Sequence, residues 1–272
     1  MAYPEGFGDL VSMAAKLKQK PASGKEIWDR FCDTALMGKD RYEPEIRLLR
    51  AMLSGFLEYD FVKKSTEFGW HDKVEEFLKQ RMEKIRDEQS REAISGAIRD
   101  LPYIASSLKA GSNFFESKKM LADIASLTKT PEQTEALIKE ITELPGFGFS
   151  KAIMWLHSIG RAADFAPPTR YMKTFLNSDV GPYYQYYDDD DYFMKKFAEI
   201  AKDFPKTSPA SVYKAVYFYR AFKSSMPRGS KFTPKKLIAF LKRKKMGLEK
   251  LQEALSGHDT REAILQEMCD SL

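Results

Sequence analysis

The stretch Leu144-Pro145-Gly146-Phe147-Gly148-Phe149-Ser150-Lys151-Ala152 decides how this chain is read. It sits between two segments with helical periodicity. Upstream, Thr130-Pro131-Glu132-Gln133 has the form of a capping box with Pro at the first helical position. Leu137, Ile141 and Leu144 then form one apolar stripe, so a helix is predicted over about 131–143. Downstream, Ile153, Leu156 and Ile159 predict a second helix over about 149–160. Between them, two glycines in four residues let the backbone take positive φ and approach another chain closely. Exposed amides of such a turn, with the N-terminus of the following helix, make a site for phosphate. Lys151 adds a positive charge beside it. Contacts of this kind grip a nucleic-acid backbone without reading its sequence.

Outward from the hairpin, the same helical signals recur. Ser208-Pro209 and Thr233-Pro234 repeat the polar cap followed by Pro, and Gly247 and Gly257 read as C-terminal stops. Ile46, Leu49, Leu53 and Leu57 form an apolar row, as do Phe193, Phe197 and Ile200. Leu237 and Leu241 continue the pattern, followed by Leu248, Leu251 and Leu255. No sustained period-two alternation and no hairpin dipeptide between apolar runs occurs, so the expected fold class is all-α. Connections are expected around 20–24, from Ala162 to Arg170 and from Asn177 to Asp191. These give an N-terminal helical lobe (1–125), a hairpin-bearing lobe (126–227) and a basic helical extension (228–272).

Composition sets outer bounds. The 272 residues carry 44 Lys and Arg against 39 Asp and Glu, a mild excess of +5 that permits a polyanionic partner without requiring one. Two cysteines, Cys32 and Cys269, lie near opposite ends, and no Cys/His cluster has metal-ligand spacing, so neither zinc nor a disulfide framework is expected. The first residues lack the basic-then-apolar layout of a signal peptide. No apolar run approaches the ~18–20 residues that a membrane span needs. An intracellular protein without a membrane partner is the expectation.

Leu-Pro-Gly-x-Gly-x-x-x-Ala between two helices resembles the hairpin of the helix-hairpin-helix DNA glycosylase superfamily. The resemblance extends over roughly 40–222. Residues 46–62 and 103–125 are placed like that family's preceding helices, Pro167-Pro168-Thr169-Arg170-Tyr171-Met172 like its second signature, and 190–222 like its closing helices. It implies a two-lobed helical fold that binds double-stranded DNA as a monomer, without a cofactor, and acts on flipped bases. Its pocket would lie between the hairpin lobe and the N-terminal helices. The implied activity is base-excision N-glycosylase chemistry, with lyase activity in bifunctional members. Gly146, Phe147, Gly148, Phe149 and Ser150 would then hold phosphate through backbone contacts, with the charge of Lys151 beside them. Arg170 falls where the family often has a basic or aromatic residue near the flipped nucleotide, and it either contacts DNA phosphate or is a solvated loop arginine.

The family's catalytic pair is displaced here. Bifunctional members attack C1′ with a hairpin lysine, and an aspartate further along stabilises developing charge. Aligned without gaps from Leu144, the lysine position holds Ser150, with Lys151 one residue late; the aspartate position holds Pro168 or Thr169, and the nearest acid is Asp164. One residue turns a helical side chain by about 100°. Lys151 and Asp164 are the catalytic candidates if a local insertion restores the register. Otherwise the scaffold is a catalytically silent DNA-binding module, or it flips a base for another reaction. For the last, the resemblance offers the glycosylase-like domains proposed as transferases in phage systems that hypermodify thymine, which also admits a virus-encoded origin.

Remaining features have bland readings beside sharp ones. The tyrosines at 183, 184, 186 and 187 either stack on bases or pack a loop. Asp188 to Asp191 reads as an acidic helix start rather than a metal site. His71, His157 and His258 are far apart in sequence, and His157 is expected to be a packing residue. Lys242, Arg243, Lys244 and Lys245 form either a solvated face or an extension of the phosphate footprint.

Overall fold

The computed structural model describes residues 2–17, 22, 24–37, 43–117, 124, 127–181, 189–227, 230–255 and 257–271. Among these the regular structure is all helical. In chain order the first helices are α1 (Phe7–Ala14), α2 (Lys25–Leu36), α3 (Glu43–Met52), α4 (Tyr59–Lys64), α5 (Glu67–Lys84) and α6 (Glu88–Ser117). They continue as α7 (Pro131–Thr142), α8 (Phe149–Ser158), α9 (Arg170–Thr174), α10 (Asp190–Lys202) and α11 (Pro209–Lys223). The last are α12 (Pro234–Arg243), α13 (Leu248–Leu255) and α14 (His258–Asp270). A 3-10 turn at Ser54–Leu57 follows α3, and a π-helical turn at Phe175–Val180 continues α9.

The polar-plus-Pro signals become N-caps. Thr130 accepts from the Gln133 N–H at 3.3 Å and Gln133 returns the bond, completing the capping box. Ser208 caps α11 through the Ser211 N–H at 3.3 Å, and Thr233 caps α12 through the Lys236 N–H at 3.4 Å. Asp189 caps α10 through the Tyr192 N–H at 2.8 Å, and Asp190 pairs with Lys173 at 2.9 Å. The acid run is therefore a helix start, except Asp188, which lies outside the described residues with Tyr183 to Tyr187.

Two local expectations need correcting. Gly247 and Gly257 are not helix stops. The left-handed position ending α12 is Lys245, at φ 50°. Around it Met246 N–H donates to Leu241 O and Lys245 N–H to Lys242 O, a Schellman closure that satisfies two end carbonyls. Gly247 directly precedes α13, and Gly257 is the N-cap of α14. Likewise the connection expected from Asn177 begins later, because the π-helical turn carries Asn177 to Val180.

The chain forms two compact units. One comprises residues 20–161, the other 1–19 with 162–272. The boundary at 161/162, rather than 125/126, puts the hairpin with the N-terminal helices.

In the unit 20–161, the core is aromatic. Phe31 of α2 stacks on Phe147 with centroids 4.8 Å apart and planes at 7°, and meets Phe115 and Trp155 edge-on at 5.1 and 5.8 Å. Gly111 of α6 lets the Phe31 ring lie directly on the helix backbone, where a Cβ would clash with it. The buried indoles keep their hydrogen bonds: Trp28 donates to Leu57 O at 2.7 Å and Trp155 to Ile27 O at 3.3 Å.

In the other unit, α1 supplies Phe7, Leu10 and Val11 to a core with Phe175, Phe193, Phe197, Val216 and Phe222. Leu237, Leu241, Leu251, Leu255 and Met268 belong to the same core. Residues 228–272 are thus an integral part of this unit, not an appended tail. Amphipathic helices read from sequence alone do not reveal what covers their apolar stripe.

Burial also separates the two thiols. Cys32 is fully enclosed, which pushes its thiol well above the usual range, whereas Cys269 is half-buried. A thiol reagent should therefore label one cysteine in the native protein and both after unfolding. Rapid native labelling of Cys32 would contradict the packing around α2.

Candidate functional site

The hairpin forms as a tight backbone device. Leu144 N–H donates to Ile141 O at 3.0 Å, closing the end of α7, and Phe147 N–H donates to Leu144 O at 3.0 Å. Gly146 takes φ 74°, a left-handed conformation that side chains resist. A Cβ there would also lie 2.7 Å from the Ser107 hydroxyl. That hydroxyl sits between the carbonyls of Tyr103 at 2.7 Å and Pro145 at 2.5 Å, tying the turn to α6.

Gly148 is different in kind. Its backbone is extended, it is exposed, and a Cβ there would meet nothing within 4 Å. It is the N-cap of α8 and offers no side-chain acceptor, so the opening turn of α8 has no side-chain cap. Uncapped N–H groups at a helix start, with the dipole behind them, favour an anion.

The side chains around the turn divide sharply. Pro145, Gly146 and Gly148 are exposed, and Phe149, Ser150 and Lys151 are half-buried. Phe147 is 5% exposed, and its ring is spent on Phe31. Of the expected contact residues, Phe147 can therefore offer a ligand only its backbone. Lys151 lies with its ammonium 5.8 Å from the Phe147 ring centroid, a cation–π distance, on the first turn of α8. Glu143, the C-cap of α7, is exposed, so the charged groups flanking the turn are one acid and one lysine rather than a broad basic patch.

The other expected residues lie in the second unit. Asp164 is exposed, in the turn closed by Phe165 N–H to Ala162 O at 3.1 Å. Arg170 is exposed at the first position of α9. Pro168 is buried, and Thr169 is the N-cap of α9 without a side-chain cap bond. Lys151 and Asp164 belong to different compact units. His157 is 6% exposed, a packing position as expected. Lys242, Arg243, Lys244 and Lys245 are all exposed, yet not equally available. Lys244 pairs with Glu267 of α14 at 2.7 Å, and Arg243 lies 5.7 Å from the Phe240 ring centroid.

Sequence reasoning missed three features. Asp179, in the π-helical turn, has a side chain that is 1% exposed and is held by Arg220 at 3.1 Å and by Lys223. Asn177, two residues earlier, has both amide atoms buried without a hydrogen-bond partner. On α5, His71, Asp72 and Glu75 bring donor atoms within 4.8 Å of one another, although Glu75 already accepts from Lys79 at 2.8 Å. The i, i+4 spacing of His71 and Glu75 was legible in the sequence; the buried state of Asp179 and Asn177 was not.

No helix among the described residues is long and apolar enough to cross a membrane. No family model matches the chain, and no curated protein or solved structure matches it.

Proposed function

We propose that this chain binds double-stranded DNA by its phosphate backbone through the hairpin at 143–151. The observation that carries this reading is the uncapped start of α8 behind two exposed glycines, Gly146 and Gly148, with Lys151 on the same turn. Amides without a side-chain cap, a positive helix end and a cation together suit phosphate better than an uncharged ligand.

For chemistry, the proposal is base-excision N-glycosylase activity with Lys151 of the hairpin as the amine nucleophile. A second reading, base modification on the same scaffold or silent binding, is favoured by one feature. The aspartate position of the glycosylase pattern is occupied by the buried Pro168 and by Thr169, neither of which carries a charge.

Binding is tested by salt titration and substitution. Duplex affinity should fall steeply with salt, because each neutralised phosphate releases condensed counterions. Gly148→Glu should lower affinity at least about tenfold on all sequences alike through like-charge repulsion. Because a side chain at 148 meets open space, the variant should fold normally. Unchanged affinity in folded Gly148→Glu would remove the hairpin from the proposal.

Chemistry is tested separately. Borohydride should trap a covalent protein–DNA adduct on lesion-bearing duplexes, and the adduct should vanish in Lys151→Ala. Tight binding with neither adduct nor free base would leave the second reading.

A further inference from the structure

We propose that a cleft between α3, the 3-10 turn at Ser54–Leu57 and the C-terminal half of α5 binds a long-chain acyl carboxylate from solution. The hydrocarbon chain would lie on an apolar floor, with the carboxylate at Arg81 and Lys84. This site is separate from the hairpin, because no residue of 143–151 lines the cleft.

The cleft encloses about 750 Å³, within the roughly 300–1,000 Å³ of sites that take small organic ligands. Leu48 and Met52 of α3, Phe56 of the 3-10 turn, Phe77 of α5 and its C-cap Ile85 line it with apolar surface. All five are half-buried, so each keeps part of its side chain in solvent. They are not the stripe that the core uses. Leu49 and Leu53 after α3's Leu48 and Met52, and Val74 and Leu78 of α5, are fully buried and serve that purpose. The cleft is thus a second apolar surface on the same segments. The Phe56 and Phe77 rings join its two sides, with centroids 5.2 Å apart.

Charge on the cleft has one sign. Among the described residues that line it, the charged side chains are Arg81 and Lys84, and no acid is among them. Three apart on a helix, they are surface neighbours, and both are exposed. The Arg81 guanidinium lies 5.2 Å from the Phe77 ring centroid, so this charge is held beside the apolar floor. Among the described residues neither cation has an acid partner. Nearby lysines do: Lys79 of α5 pairs with Glu75 at 2.8 Å, and Lys63 with Glu116 at 2.9 Å.

This combination selects the ligand. An inorganic anion would leave the apolar floor in water, and an uncharged hydrocarbon would leave both cations unused. A molecule with one anionic end and a long apolar body satisfies both, through charge-assisted hydrogen bonds at the head and area burial along the chain. Met52 on the floor suits a flexible chain, since its thioether adapts to irregular contacts.

The test is calorimetric titration of the full chain with dodecanoate, dodecanol and dodecyltrimethylammonium, each below its micelle-forming concentration. These probes put three heads on one tail. Dodecanoate should bind one per chain, about fivefold more tightly than dodecanol, with the ammonium weakest. Octanoate should bind at least about tenfold more weakly than dodecanoate, because it buries four fewer methylenes. Arg81→Gln with Lys84→Gln should erase the difference between dodecanoate and dodecanol. Arg81→Glu with Lys84→Glu should make the ammonium bind more tightly than dodecanoate. Ala51→Trp, at an exposed position on the cleft wall, should block all three tails. The substituted side chains are exposed, so these variants should fold, which circular dichroism checks.

The proposal is overturned by a wild type that shows no saturable dodecanoate binding. Binding that survives Ala51→Trp, or a head preference unchanged in the charge variants, overturns it equally. Two such failures would reassign the cleft. Duplex affinity lost in Arg81→Glu with Lys84→Glu, without dodecanoate binding, would make these cations part of the DNA footprint. Sedimentation altered by Ala51→Trp, again without dodecanoate binding, would make the cleft a contact between copies of this chain. Gly148→Glu should leave dodecanoate binding unchanged, so the fate of this site and that of the hairpin are read separately.

Discussion

Phe147→Ala should destabilise the unit 20–161 by about 3–5 kcal/mol, the usual cost of removing a fully packed phenylalanine ring. The ring is 5% exposed and stacks on Phe31, which in turn meets Phe115 and Trp155. Its loss leaves a void on the face of Phe31, a ring already held in place by Phe115, Trp155 and the α6 backbone at Gly111. Little can collapse into that void, which places the cost toward the upper end. Urea unfolding followed by tryptophan emission reports the change directly, since Trp155 lies at the same ring cluster. Gly148→Ala, at the neighbouring position, is the control. It should be close to neutral for stability, because its position is extended and open. A Phe147→Ala cost below about 1 kcal/mol would mean that the hairpin is not anchored through its ring.

Asp179→Ala should cost the other unit a similar amount, about 3–5 kcal/mol, because it strips the counter-charge from two cations at a buried site. The Asp179 side chain is 1% exposed, Arg220 14% and Lys223 33%. A surface ion pair would contribute at most about 1 kcal/mol. Here the expense lies in what remains: a guanidinium whose Nε is already buried without a partner, and an ammonium over the Tyr219 ring at 5.2 Å. Asp179→Asn keeps an oxygen acceptor and the volume, so it should lose less than alanine. The double variant Asp179→Ala with Arg220→Met should recover part of the loss, since removing both charged partners is often close to neutral. Equal losses in the single and double variants would show that packing of the π-helical turn, not charge, is what Asp179 supplies.

These two sites differ in how far the sequence reveals them. The hairpin is a local object. Thr130, Pro131 and Gln133 make their cap from neighbouring backbone, and Gly146 takes its positive φ because nothing else would do so cheaply. Both follow from residues within a few positions. The same holds for Ser208-Pro209 and Thr233-Pro234, whose caps form as written. The apolar rows likewise predict which face is buried: Ile46, Leu49, Leu53, Leu57, Phe193, Phe197 and Ile200 are all at or below 5% exposure.

What a residue packs against is not local, and there the sequence is silent. Phe147 and Phe149 are both phenylalanines in one glycine-rich turn, yet one is locked on Phe31 and the other is half-buried. In a turn no periodicity assigns a side chain to a face. Tyr103 lies in a long helix next to buried Ile104 and Ala105, and only the placement of Ser107 beneath Pro145 brings it to the hairpin.

The sequence by itself determined the amphipathic helices, the N-caps at Thr130, Ser208 and Thr233, and the glycine turn, because 3.6-residue periodicity and backbone hydrogen bonding are satisfied within a segment. Tertiary structure alone decided the partition at 161/162, the burial of the 228–272 helices in a shared core with α1, and the pairing of Lys244 with Glu267. It also decided that Asp179 is a buried counter-ion. Each of these depends on contacts between residues tens to hundreds of positions apart. An amphipathic stripe states only that it must be covered, and the same stripe would serve any partner of matching shape.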